Sequence, residues 1–225
     1  VYPQMAEAYH RELQLAPILA DLQNRGVRCD VERLERDTVV ALNSLHELDR
    51  QIREALKVES LSLDSDAELV VALKNRGFTN FLSTPTGKVS AAKDSLDVAL
   101  ADDPELRELL RKRATFATLT STFMLPWLEA AKANGGRIHA SYNQVRNPDG
   151  YGTRTGRLSS SKPNFQNVPG DLGPGYPLMR SYLLPERDHV WVCGDFSNQE
   201  PRITAHFEDG RLAREYEANP TLDPY

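Results

Sequence analysis

The chain has 225 residues, 40% of them apolar and 26% charged, with a net charge of −5. That is enough for one large domain or two small ones, with ordinary globular composition, and no apolar run approaches the roughly 20 residues that span a bilayer. The two distant cysteines, Cys29 and Cys193, exclude a disulfide framework and point to a reducing, cytoplasmic setting. The opening Val1-Tyr-Pro-Gln-Met5 has no basic-then-apolar leader pattern and reads as a chain entered midway. Leu15, Ile18, Leu19 and Leu22 then form one apolar helical stripe, with Pro17 predicting a kink or restart and Gly26 a stop. Asp30 can cap a second helix with the stripe Leu34, Ala41, Leu45, Leu48 and Ile52. A third helix opens on the capping-box pattern Ser65-x-x-Glu68 and ends at Gly77. Residues 78–90 read as a loop, and helical patterns resume over about 90–101 and 104–133. After Gly135-Gly136 the period becomes two, predicting a strand over 137–144. Residues 146–177 are rich in Gly, Pro, Ser and Asn, too long for an idle connection. His189-Val-Trp-Val-Cys-Gly194 reads as a buried strand leading into Asp195, and a helix is predicted over about 200–216. The fold class expected from this order is α+β.

The average charge hides a gradient. From Lys132 to Lys162 the charged side chains are Lys132, Arg137, Arg146, Arg154, Arg157 and Lys162, against Asp149 alone. Local charge sets the field that a phosphate feels, although a solvated basic loop would show the same composition. Two blocks carry more information. In Thr153–Pro169, Arg157 with Asn164, Gln166 and Asn167 offers long donors and amides on a Gly/Ser-rich backbone, suited to minor-groove acceptors and sugar-phosphate oxygens. A polar loop that satisfies its own backbone would look similar. In Val192–Arg202, Asp195 at the end of the predicted strand is a candidate metal ligand, though an isolated Asp there more often caps a helix. Pro201 favours a helix start at Glu200 or Pro201, leaving the Glu200 carboxylate at the helix mouth.

Together the blocks read T-x-T-G-R-L-S-S-x-x-P-N-x-Q-N-x-P and, 25 residues later, D-F-S-x-x-E-x-R. This ordered pair resembles the palm of family A DNA polymerases, the bacterial DNA polymerase I type. Glu12–Leu22 with Gly26–Asp30, Leu119–Phe123 and Gly136–Gln144 are similar to the family's segments upstream of it, so the resemblance covers nearly the whole chain. The resemblance implies a helical thumb-like region over 1–133 and the N-terminal part of the palm over 134–225. It implies template-directed transfer of nucleotides from dNTP to a primer 3′-OH with two Mg²⁺ ions, in DNA replication or repair, on a DNA primer–template and with no membrane partner.

By the same resemblance, Asp195 matches the first palm aspartate of the metal site, and the Phe196 backbone carbonyl a second oxygen donor. Ser197, Asn198 and Glu200 match the nucleotide site, with Glu200 the residue that blocks a ribose 2′-OH. Arg157 matches the arginine that reaches the primer terminus through the minor groove. Arg154, Thr155, Asn164, Gln166 and Asn167 match residues lining the template–primer, and Arg202 a structural or site-supporting arginine. The fingers and second catalytic aspartate are expected beyond Tyr225, and the chain alone is expected to be inactive. Departures are visible. The family's D-Y-S-Q-I-E-L-R stands here as Asp195-Phe-Ser-Asn-Gln-Glu-Pro-Arg202, a thumb S-P-K-Q-L as Ser65-Asp-Ala-Glu-Leu69, and Arg146–Gly152 is an insertion of phage-like character. Two other readings stand beside this one: a non-catalytic DNA-binding module derived from the thumb, and a single-subunit RNA polymerase, against which Glu200 speaks.

Overall fold

The first helix, α1 (Pro3–Arg25), runs through Pro17 without a restart. Of its expected stripe only Leu19 is buried, while Ile18 and Leu22 are exposed. The computed structural model describes residues 3–84, 87–146, 148 and 150–223, which fall into two compact units, Val1–Leu184 and Pro185–Tyr225. The fold is α+β. None of the described helices is long and apolar enough to cross a membrane.

In the first unit α1 ends at Gly26, whose φ of +61° favours glycine and whose added Cβ would stand 2.8 Å from the His139 ring. Strand β1 (Val27–Cys29) follows, too short to be legible as a period. Asp30 caps α2 (Val31–Leu56) as expected, its Oδ1 accepting from the Arg33 N–H at 3.2 Å. Ser65 caps α3 (Asp66–Asn75) by accepting from the Glu68 N–H at 3.3 Å. The Glu68 carboxylate instead accepts from the Ser62 N–H at 3.0 Å, so only half of the expected capping box forms. Helices α4 (Lys93–Ala99) and α5 (Pro104–Thr118) follow, the second capped by Asp103.

Between α5 and α6 (Leu125–Ala133) the chain widens into a π-helical segment, Leu119–Met124. Pro126 has no N–H to give the turn before it. The Leu125 N–H reaches back five residues to the Thr120 carbonyl. Hydroxyls of Thr120 and Ser121 satisfy the Phe116 and Ala117 carbonyls at 2.8 and 2.7 Å.

Strands β2 (Arg137–Ile138) and β5 (Leu183–Leu184) flank β1 in an antiparallel sheet of order β2-β1-β5, with Val27 opposite Ile138 and Arg28 opposite Leu184. The strand expected over 137–144 is divided between two sheets. Its second half, β3 (Ser141–Asn143), pairs antiparallel with β4 (Ser159–Ser161). The division falls at His139 and Ala140, where Gln23 of α1 takes over. Its carbonyl contacts His139 Nδ1 at 2.8 Å, and its Oε1 accepts the Tyr142 N–H at 2.7 Å.

Helix α2 spans two apolar cores. Leu34 and Ala41 join Phe123, Met124, Trp127 and Ile138 in one, while Ile52 and Leu56 join Leu73, Leu100, Leu106 and Leu110 in the other. Each large side chain fully buried contributes about 1.5–3 kcal/mol. The first core draws on both sides of the 133/134 division expected from the sequence. Arg113 of α5 ties the second core together. Its side chain, 11% exposed, donates to Asp49 at 3.0 Å, the Leu63 carbonyl at 3.1 Å and Asp64 at 2.5 Å. Burial works to lower the Arg113 pKa, and the two carboxylates outweigh it and raise it.

The second unit corrects two expectations. Residues 189–195 form no strand. Extended backbone needs a ladder partner for its N–H and C=O groups, none of the strands of the described residues pairs with this segment, and Val190 and Val192 are 79% and 89% exposed. The helix expected over about 200–216 is two helices, α7 (Gln199–Glu208) and α8 (Arg211–Ala218), broken where Asp209 turns left-handed at φ 49° before Gly210. Pro201 lies in the first turn of α7, where its missing N–H costs nothing.

Candidate functional site

The polar block Thr153–Pro169 begins as an open loop and ends against the first core. The hairpin that carries it closes where Gly152 packs on the backbone of Val145. A Cβ there would stand 2.2 Å from the Val145 carbonyl oxygen, at a φ of +91°, so only glycine closes this neck. Lys162 stands over the Tyr151 ring at 5.5 Å. Ser160 and Ser161 are buried. The Ser160 hydroxyl donates to the Pro163 carbonyl at 3.1 Å and accepts from the Phe165 N–H at 3.2 Å. Phe165 meets Trp127 edge-on at 5.6 Å, and Val168 is buried in the same core.

This anchoring divides the block into two faces. Arg154, Thr155, Arg157, Gln166 and Asn167 are exposed, and Asn164 is half-buried. Two of the three amides expected to reach outward are partly committed to the loop itself. Asn164 Oδ1 accepts from the Gln166 N–H at 2.9 Å, capping the short 3₁₀ turn Phe165–Asn167. Gln166 accepts from the Ser160 N–H at 3.1 Å and donates to the Leu158 carbonyl at 2.9 Å. The Asn-x-Gln spacing fits such self-satisfaction as well as it fits an external ligand. The Ser160 and Trp127 anchors were not singled out from sequence. Two adjacent serines on a short strand, and a Trp four residues after a Phe on one helix face, are the signals that could have found them.

In the second unit, Asp195 and Phe196 are exposed in the irregular segment before α7. Asn198, at φ 52°, stands at the start of α7 without a side-chain cap bond, and its Nδ2 donates to the Leu222 carbonyl at 2.9 Å. Glu200 is exposed in the first turn of α7, at the positive end of the helix dipole. Arg202 is turned inward. It donates to the Ser197 carbonyl at 2.9 Å and to the Pro220 carbonyl, and stacks on the Tyr216 ring at 4.5 Å. Arg202 thus joins the segment before α7, the chain after α8 and α8 itself.

Among the described residues no group of three or more His, Cys, Asp or Glu side chains stands where it could hold a metal ion. Magnesium asks for about six oxygen ligands in near-octahedral array and gives up its water reluctantly. Asp195 offers such an ion one exposed carboxylate.

The family model described as DNA polymerase family A matches residues 31–222. The chain is 30% identical over 196 residues to DNA polymerase I of Bacillus subtilis, covering 87% of this chain and 21% of that protein. It is 32% identical over 212 residues to a DNA-directed DNA polymerase of Pseudomonas phage M6, covering 88% of this chain and 30% of that one. The chain thus spans between a fifth and a third of these relatives' length. A solved POL domain of Pol1 from M. smegmatis, in complex with DNA primer-template and dNTP, shares the fold at a TM-score of 0.77 and 22% identity, covering 92% of this chain and 35% of that one.

Proposed function

The chain belongs to DNA polymerase family A, and from that premise we propose that it supplies the thumb and the first part of the palm of a DNA-directed DNA polymerase. Residues 1–133 serve as the thumb-like region and 134–225 as the N-terminal part of the palm. The substrates are a DNA primer–template and a dNTP, and the setting is the cytoplasm of a bacterium or of a phage host.

The observation that carries this reading is the two-faced loop of Thr153–Pro169. Ser160, Phe165 and Val168 fix it on the core, while Arg154, Thr155, Arg157 and Asn167 stand exposed. Cationic and amide donors on a fixed backbone suit the acceptors that every base pair offers in the minor groove, together with sugar-phosphate oxygens. Arg157 reaches the primer terminus, and Asn164 and Asn167 line the duplex beside it. In the second unit Ser197, Asn198 and Glu200 face the incoming nucleotide. The Glu200 carboxylate crowds and repels a ribose 2′-OH. Asp195 and the Phe196 carbonyl would hold Mg²⁺ together with a further palm carboxylate. Bound magnesium supplies positive charge for the attacking and leaving oxygens of phosphoryl transfer.

A second reading, a DNA-binding module without catalysis of its own, draws on the finding that no group of three or more His, Cys, Asp or Glu side chains among the described residues could hold a metal ion. Binding and extension separate the two. The 225-residue chain binds a fluorescent primer–template duplex more tightly than either single strand, with log Kd rising linearly with log salt. Arg157→Ala in the full-length enzyme slows extension more than it weakens duplex binding. Equal extension by variant and parent refutes the role given to Arg157, and preference for single strands refutes the duplex reading.

A further inference from the structure

A side chain on an exposed loop keeps a working geometry only if its backbone is held. Around Arg157, two side chains do the holding. The Thr153 hydroxyl donates to the Arg157 carbonyl at 2.5 Å. Next along the chain, Gln166 Nε2 donates to the Leu158 carbonyl at 2.9 Å, and Gln166 Oε1 accepts from the Ser160 N–H at 3.1 Å. A carbonyl and an N–H two residues apart lie on one edge of an extended strand. The Gln166 amide therefore stands in for the N–H and C=O that one residue of a neighbouring strand would present beside β4, whose other edge serves β3. Gln166 is itself held, because its N–H is given to Asn164 Oδ1 at 2.9 Å and the adjacent Phe165 packs on Trp127 at 5.6 Å. A chain of contacts thus runs from the buried Trp127 through Phe165 and Gln166 to the backbone that carries Arg157.

We propose that Gln166, together with Thr153, is a positioning residue for Arg157: it acts by fixing the backbone of residues 157–160 and does not contact DNA. The proposal rests on the reading of Arg157 given above. It also explains why an amide, rather than a cation, stands at position 166. Only a group that donates and accepts at once can replace the N–H and C=O of a residue on a strand edge.

The test is a double-mutant cycle in single-turnover primer extension by the full-length polymerase, with a DNA-free measurement beside it. Gln166→Met keeps the length of the side chain and removes both hydrogen bonds. It slows extension about tenfold, the size expected of one to two neutral hydrogen bonds, and adds almost nothing in an Arg157→Ala background. Thr153→Val behaves the same way, and Thr153→Ser, which keeps the hydroxyl, restores the rate. In the 225-residue chain without DNA, Gln166→Met speeds hydrogen exchange at the Ser160 amide. A Gln166→Met loss that persists in full beside Arg157→Ala overturns the proposal in favour of direct DNA contact, and unchanged Ser160 exchange overturns it as well. Should Arg157→Ala alone leave extension unchanged, the reading of Arg157 fails first and the proposal falls with it.

Discussion

Arg113→Met tests the way the first unit is held together. The guanidinium makes three bonds of unequal worth. Its bond to Asp49 joins side chains only 11% and 16% exposed, and a charge-assisted bond so sheltered contributes about 1.5–3 kcal/mol. The bond to Asp64 meets a side chain 82% exposed, where water screens the pair to ~0–1 kcal/mol. The bond to the Leu63 carbonyl adds about 0.5–1.5 kcal/mol. Asp49 keeps Arg53 at 3.8 Å, so it is not left without a countercharge, and methionine replaces most of the lost packing. The net loss is about 3 kcal/mol, which at ~2–4 °C per kcal/mol for a unit of this size lowers Tm by roughly 6–12 °C. Thermal and urea unfolding of the 225-residue chain measure it. A cycle with Asp49→Asn returns a coupling above about 1.5 kcal/mol, while one with Asp64→Asn stays below ~0.5 kcal/mol. A Tm within 2 °C of the parent, on the order of the shift expected for a surface pair, or a larger coupling to Asp64 than to Asp49, refutes the assignment.

Further outcomes follow from the thiols and from the nucleotide side of the site. Burial, helped by the charge of Asp30, raises the Cys29 thiol to about 11, whereas Cys193 is exposed. A thiol reagent at pH 8 therefore titrates one cysteine in the native chain and two after denaturation, and two fast native equivalents would contradict the packing of β1. Because the folded pKa lies above the unfolded value of 9.0, the Cys29 contribution is intact below pH ~9 and is lost as pH rises towards about 11. Glu200→Ala in the full-length polymerase admits ribonucleotides more readily, read as the ratio of kcat/KM for dNTP and rNTP. An unchanged ratio would move the sugar gate to another residue.

Local rules made much of the helical part legible. The Asp30 and Ser65 caps and the α2 stripe follow from residues within a turn or two of each other, and the structure keeps them. Features set by distant partners were not legible. The strand expected over 137–144 divides because Gln23, more than a hundred residues earlier, captures backbone and ring at His139 and Tyr142. The apolar run 189–194 states what its side chains prefer, but a strand also needs a ladder, and none of the strands of the described residues pairs with it. At the site, Arg157 and Asn167 were singled out by residue type and Arg154 by resemblance, and all three are exposed. The sequence could not assign the Gln166 amide between loop and ligand, because both uses require the same chemistry. Arg202, marked as structural or site-supporting by resemblance, is seen bracing the second unit.

Primer extension by the full-length polymerase carrying Asp195→Ala, set beside its affinity for primer–template, bears most directly on the claim that this chain supplies the first part of the palm of a DNA polymerase. Asp195 is an exposed carboxylate ahead of α7, and the proposed metal role rests on it. The 225-residue chain alone extends no primer, the full-length parent does, and Asp195→Ala abolishes extension while Kd for the duplex stays within about twofold, less than the loss of one hydrogen bond. Extension at the parent rate by the Asp195→Ala enzyme would contradict the account.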